Sequence, residues 1–108
     1  TIAIPSYQQY TKRARFAEVI SATGVFKTAV SIALQEGATL STLSNGVSGI
    51  PAEPTPTKNL GSIKVVKGVI TATGSDLVGR ATYILTPTAD GSAWTMSGTC
   101  KQNGWCND

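Results

Sequence analysis

The sequence predicts an α+β fold in which a long N-terminal helix packs on a four-stranded antiparallel sheet. Three observations carry that expectation. Apolar residues recur with a helical period from residue 1 to residue 36, the period changes to two from Ser62, and turn residues punctuate the second half as a meander requires. A chain of 108 residues has material for one domain and one modest core. We divide it into a helix over 1-36, a connecting loop over 37-61, a sheet over 62-98 and a C-terminal loop over 99-108.

The helix carries two apolar stripes. At about 100° per residue, Phe16, Val19, Ile20, Thr23, Phe26, Val30, Ala33 and Leu34 share one face, the pattern of a helix docked on a core. Tyr7, Tyr10, Ala14, Ala17, Ser21, Val25, Thr28 and Ile32 lie on the opposite side, and none of them bears a formal charge. Either the rest of the chain wraps both faces, or another helix or subunit covers the second. The remaining residues, many of them Gly, Ser and Thr, are few for surrounding a helix of roughly 45 Å at 1.5 Å per residue. We therefore expect the second stripe to pack against other subunits.

Pro5 suits the start of a helix, but inside a longer one it removes a hydrogen bond, so a bend is expected there if helix precedes it. Gly37 can supply the left-handed residue that stops the helix after Gln35 and Glu36. From there to Gly61 the chain reads as a loop with one short helical turn at Leu40 to Leu43. Pro51, Pro54 and Pro56 exclude a central strand in that stretch.

The sheet follows in order. Ser62 to Lys67 and Val69 to Thr73 are β-rich runs meeting at Gly68, readable as two strands or as one strand with a bulge. Gly74-Ser75-Asp76 marks a turn, and Arg80 to Pro87 is the next strand, with Ala81, Tyr83 and Leu85 on one side. The Asp90-Gly91 turn leads into a last strand over Ala93 to Gly98. Trp94 alternates within that strand and reads as core.

The net charge of +3 sits in the stretch from Thr1 to Leu34, where Lys12, Arg13, Arg15 and Lys27 oppose Glu18, so the rest is neutral. Beside an apolar segment, Lys12, Arg13 and Arg15 read as a basic collar next to anionic headgroups or as a solvated helix face. Nucleic-acid contact is a third and weaker reading, because no aromatic residues interleave the patch. Only 14% of residues are charged, which suggests that part of the surface is covered in use.

Cys100 and Cys106 have neither a redox nor a zinc spacing, and without His or a third Cys a zinc site lacks ligands. A disulfide follows, closing a seven-residue ring around Gly104, worth on the order of 2 kcal/mol and placing the domain outside the reducing cytosol. Trp105 inside the ring reads as exposed or packed on the sheet edge. Lys101, Gln102, Asn103, Gly104 and Trp105 are the candidate receptor contact.

No catalytic constellation is present. The chain has no His, its acids are dispersed, and its glycines do not form a phosphate loop. Ser75, Asp76 and Asp90 offer too few oxygens for calcium, so neither an enzyme, a small-molecule substrate nor a cofactor is expected.

Two stretches resemble the type IV pilins. Ala3, Ile4, Pro5, Tyr7 and Tyr10, followed by Glu18, Lys27 and Thr28, resemble the region after the pilin membrane segment. GVITATG and YILTPTADGSAWTMSGTC look like the pilin sheet, with Leu-Thr-Pro turning into a Trp-bearing strand before the first of two C-terminal cysteines. The family's processing site, with Phe and Glu ahead of a continuous apolar helix, does not occur in the sequence, which reads as a soluble fragment lacking that segment.

The resemblance implies a major subunit that self-assembles into a helical surface filament for adhesion, twitching motility and DNA uptake in a Gram-negative bacterium. It further implies a methylated N-terminus, an apolar segment held in the inner membrane before assembly, and the pilus assembly machinery as partner. The alternatives are a minor pilin or type II secretion pseudopilin, and a receptor- or DNA-binding pilus module. The disulfide favours a pilin over a pseudopilin. The short loop between the cysteines weakens any transfer of the receptor role that longer loops carry.

Overall fold

The computed structural model describes residues 6–106, with side chains from Tyr10 onward. The expected bend at Pro5 and the side chain of Tyr7 lie outside the described residues. The architecture is the expected one, a long helix on a four-stranded antiparallel sheet followed by a disulfide.

The helix departs from expectation in one respect. It is two segments, α1 (Ser6–Ala22) and α2 (Gly24–Gln35), separated at Thr23. Thr23 is 2% exposed, so its hydroxyl must find an acceptor inside the protein. Its backbone N and its Oγ1 both donate to the Ile20 carbonyl, at 3.1 and 2.6 Å. A tighter three-residue turn thereby replaces one α-helical step. Gly37 ends α2 as expected. With φ at 97° it donates to Leu34 O, while Ala38 donates to Ala33 O, the paired bonds of a left-handed helix stop.

Beyond a 3₁₀ turn at Leu40–Thr42, the loop reaches β1 (Leu60–Val66), which begins two residues earlier than the period-two pattern suggested. Thr57 explains the difference, since its N donates to Leu60 O and its Oγ1 accepts from Leu60 N. The pairing with β2 (Val69–Gly74) then shifts register between Leu60 and Ser62. Lys67 and Gly68 connect β1 to β2 with φ of 50° and 81°, the left-handed pair of a tight two-residue hairpin. Two strands, not one bent strand, therefore occupy this stretch.

A 3₁₀ turn at Asp76–Val78 leads to β3 (Thr82–Pro87), and the Asp90-Gly91 turn to β4 (Trp94–Ser97). The strand order is β1-β2-β3-β4. One line of partners, Val65, Ile70, Leu85 and Met96, crosses the sheet, and all four are buried. Period-two alternation puts them on the face that meets the helices. Phe16, Val19, Phe26 and Val30 supply the facing layer.

Asn45 finishes the β1 edge. Its Nδ2 donates to Ile63 O and its Oδ1 accepts from Val65 N at 2.8 Å, so a loop side chain substitutes for a further strand. The chain continues past β4 into a short helix, α3 (Thr99–Gln102), which the sequence reading missed.

Candidate self-assembly surface

Burying Phe16, Val19, Phe26 and Val30 against the sheet fixes the rotation of α1 and α2, and the second stripe is thereby turned outward. Tyr10, Ala14, Ala17, Ser21, Val25, Thr28 and Ile32 are all exposed. Tyr10, Val25 and Ile32 retain 68%, 59% and 49% of their accessible area. Loop 37-61 meets this side only beside Val25, Thr28 and Ile32 and leaves the row exposed, which excludes the reading in which the chain covers both faces. A row of exposed apolar and small side chains along a helix is a surface suited to another helix.

Beside the C-terminal half of this row lies a groove of about 300 Å³, formed by Val25, Thr28, Ala29, Ile32, Ala33, Glu36, Ser48, Gly49 and Pro51. The sequence reading found the helix wall of this groove but not the loop wall, because positions 48–51 show no periodicity. Ser48 and Gly49 in tandem before Pro51 were the available signal. Both adopt positive φ, at 58° and 83°.

The basic residues do not form one free patch. Arg13 is exposed, whereas Arg15 is half-buried and donates from Nη1 to Asn59 Oδ1 at 3.2 Å. Glu18, one turn further on, accepts from Thr57 Oγ1 and Asn59 Nδ2. Together Arg15 and Glu18 hold the approach to β1 against α1, a structural duty that the sequence reading did not assign. Lys12 is half-buried, leaving Arg13 as the most outward of the three.

Cys100 and Cys106 are bonded, as expected. Trp105 is where expectation and structure part. It is buried, 9% exposed, with its ring 5.8 Å from that of Phe16. The seven-residue ring turns the indole inward because Phe16 offers it an apolar seat, so Trp105 is not a receptor contact. Lys101, Gln102, Asn103 and Gly104 are exposed and keep that role open. Thr82 and Thr99 lock the loop to β3, each backbone N donating to the other's Oγ1 at 2.9 and 3.0 Å.

A cleft of about 470 Å³ opens between α2 and β4, lined by Lys27, Tyr83, Leu85, Trp94, Thr95, Met96 and Lys101. Trp94 is half-buried instead of fully enclosed. The Lys27 ammonium sits 5.8 Å above its ring, and its Nε1 donates to Ser31 Oγ at 3.3 Å. Burial raises the Tyr83 phenol above its ordinary pKa. Asp90 is held well below the carboxylate range, at about 2, first by the Ser92 backbone N–H and then by the Ser92 and Thr88 hydroxyls. These contacts make it a turn residue. Among the described residues no group of three or more acids and cysteines could hold a metal.

Residues 12–107 match the family described as pilin, a bacterial filament protein. The chain is 32% identical over 100 residues to prepilin peptidase-dependent protein D of Escherichia coli K12, spanning 89% of this chain and 68% of that one. It is 46% identical over 48 residues to the type IV pilus subunit protein TapA of Aeromonas hydrophila, spanning 44% of this chain and 34% of that one. Its fold resembles the solution NMR structure of the major type IV pilin PpdD from enterohemorrhagic Escherichia coli, with a TM-score of 0.65 and 26% identity over 82% of this chain and 70% of that one. The helix-on-sheet fold, the outward apolar row and these matches together make the chain a member of the pilin family, the structural subunits of bacterial filaments, with a type IV pilin-like fold.

Proposed function

We propose that this protein is the major subunit of a type IV pilus and polymerises through the outer face of α1 and α2. The observation that carries the reading is the exposed row from Tyr10 to Ile32. Nothing else in the described residues leaves so much apolar side chain in water on one regular element. Its burial between subunits supplies the driving force, at about 25 cal/mol per Å² of apolar area removed from water. A head-to-tail contact whose rotation does not close on itself grows into a fibre. The fibre serves adhesion, twitching motility and DNA uptake at the cell surface, and the subunit waits in the inner membrane before the assembly machinery extracts it.

Expression of the full-length gene in cells lacking the chromosomal copy, followed by shearing and mass spectrometry of the filaments, tests the reading. The expected result is this chain as the dominant filament protein, with Ala17→Arg reducing the yield by roughly tenfold or more. Filaments in which the chain appears only in traces would instead identify a minor pilin or pseudopilin.

A further inference from the structure

The groove beside α2 and the row it adjoins do not run symmetrically along the helix. Arg13 lies near the start of the row and Glu36 at its end, where Glu36 lines the groove. The ion pairs among the described residues are Lys64 with Glu53 and Arg80 with Asp76, so neither Arg13 nor Glu36 takes part in one. We propose that the groove receives Tyr10 of a second copy of this chain, with Arg13 of that copy placed against Glu36. This rests on the filament-subunit reading and names the register of its helix contact.

Helix geometry supports the pairing in two independent ways. Counted within each segment at about 100° per residue, Arg13 flanks one edge of the α1 part of the row, and Glu36, the residue that caps α2, lies with Ala29 and Ala33 on the groove side at the other edge. When two parallel helices meet row to row, opposite edges come together, and Arg13 of one faces the Glu36 edge of the other. An antiparallel meeting brings identical edges together and sets like charges on one side. The charge pattern thus selects the parallel arrangement, in which every subunit points the same way.

The second argument is axial. Arg13 and Glu36 are 23 positions apart, so bringing them level displaces one copy by roughly 34 Å at 1.5 Å per residue. The same displacement carries Tyr10 to the level of position 33, beside Ile32 and the groove wall. A single shift satisfies the aromatic and the charged contact together. The groove volume of about 300 Å³ accepts a phenol ring, with the hydroxyl directed to the polar rim at Ser48. Because the shift is a translation and not a two-fold rotation, each copy presents a free groove at one end and a free Tyr10 at the other.

The test is a charge swap in the full-length protein, scored by sheared filament yield. Arg13→Glu and Glu36→Arg should each reduce the yield by roughly tenfold, and the two together should restore most of it. Both positions are exposed, and unchanged thermal unfolding of the purified variants is expected. Single variants that assemble normally while Ala17→Arg does not would overturn this register and leave the subunit reading standing. A double variant no better than either single would also overturn it. Normal filaments from Ala17→Arg itself would remove the subunit reading first.

Discussion

The two faces of α1 and α2 are built from similar residue types and meet opposite fates. Phe16, Val19, Phe26 and Val30 are buried against the sheet, while Tyr10, Ala17, Val25 and Ile32 stand in water on the other side. Composition does not separate them, since both rows are uncharged. What separates them is shape. The core row carries Phe16 and Phe26, whose rings are buried against the sheet, while the outer row, after Tyr7 and Tyr10 at its start, runs through Ala14, Ala17 and Ser21, small residues that permit close approach of another helix. The difference shows that apolarity states that a face will be covered, and side-chain size states by what kind of surface.

That contrast can be broken at several points. Phe16→Ala removes the ring that meets Trp105 and lines Gly74, and it should cost about 3–5 kcal/mol in chemical denaturation. A loss below about 1 kcal/mol would mean that the core row is not what holds the helix on the sheet. Replacing Cys100 and Cys106 together by Ser should cost on the order of 2 kcal/mol, and it should also loosen Trp105, visible as a shift in tryptophan fluorescence. On the outer row the expectation reverses. Ala17→Arg should change monomer stability by no more than about 0.5 kcal/mol while removing assembly, and a large monomer effect would show that this face is already covered.

The smallest effect concerns pH. Asp90 has its folded pKa lowered to about 2, so its contribution to stability is present above the ordinary Asp value of 3.8 and is lost as pH falls through about 2. Asp90→Asn should flatten the stability profile between about pH 4 and pH 2, read by thermal unfolding at each pH. The difference between the two profiles reports the β3-β4 turn, where Asp90 accepts from Ser92 and Thr88. An unchanged profile in the variant would place the titrating group elsewhere.

Particular elements show how far the sequence could be read. Helical spacing identified both rows, Gly37 marked the helix stop, and alternation put Ala81, Tyr83 and Leu85 on one side of the third strand. These features are local, because periodicity and left-handed glycines depend on neighbours a few residues apart. Thr23 was placed correctly on the core face, yet the break it causes was not foreseen. Its hydroxyl turns back on Ile20 only because the sheet removes it from water. Trp105 fell outside the reading for a similar reason, since its burial depends on Phe16, far away in sequence.

The sequence by itself therefore determined the order of long helix, loop and sheet, the disulfide and the presence of a second apolar row on the helix, but neither α3 nor the break at Thr23. Tertiary structure alone decided that this row faces outward, that loop residues 48–51 form a groove beside it, and that Arg15 and Glu18 are engaged by Asn59. The physical reason is range. Secondary structure follows from backbone sterics and the spacing of apolar groups along one segment, whereas exposure is a property of what remains uncovered after distant segments have packed.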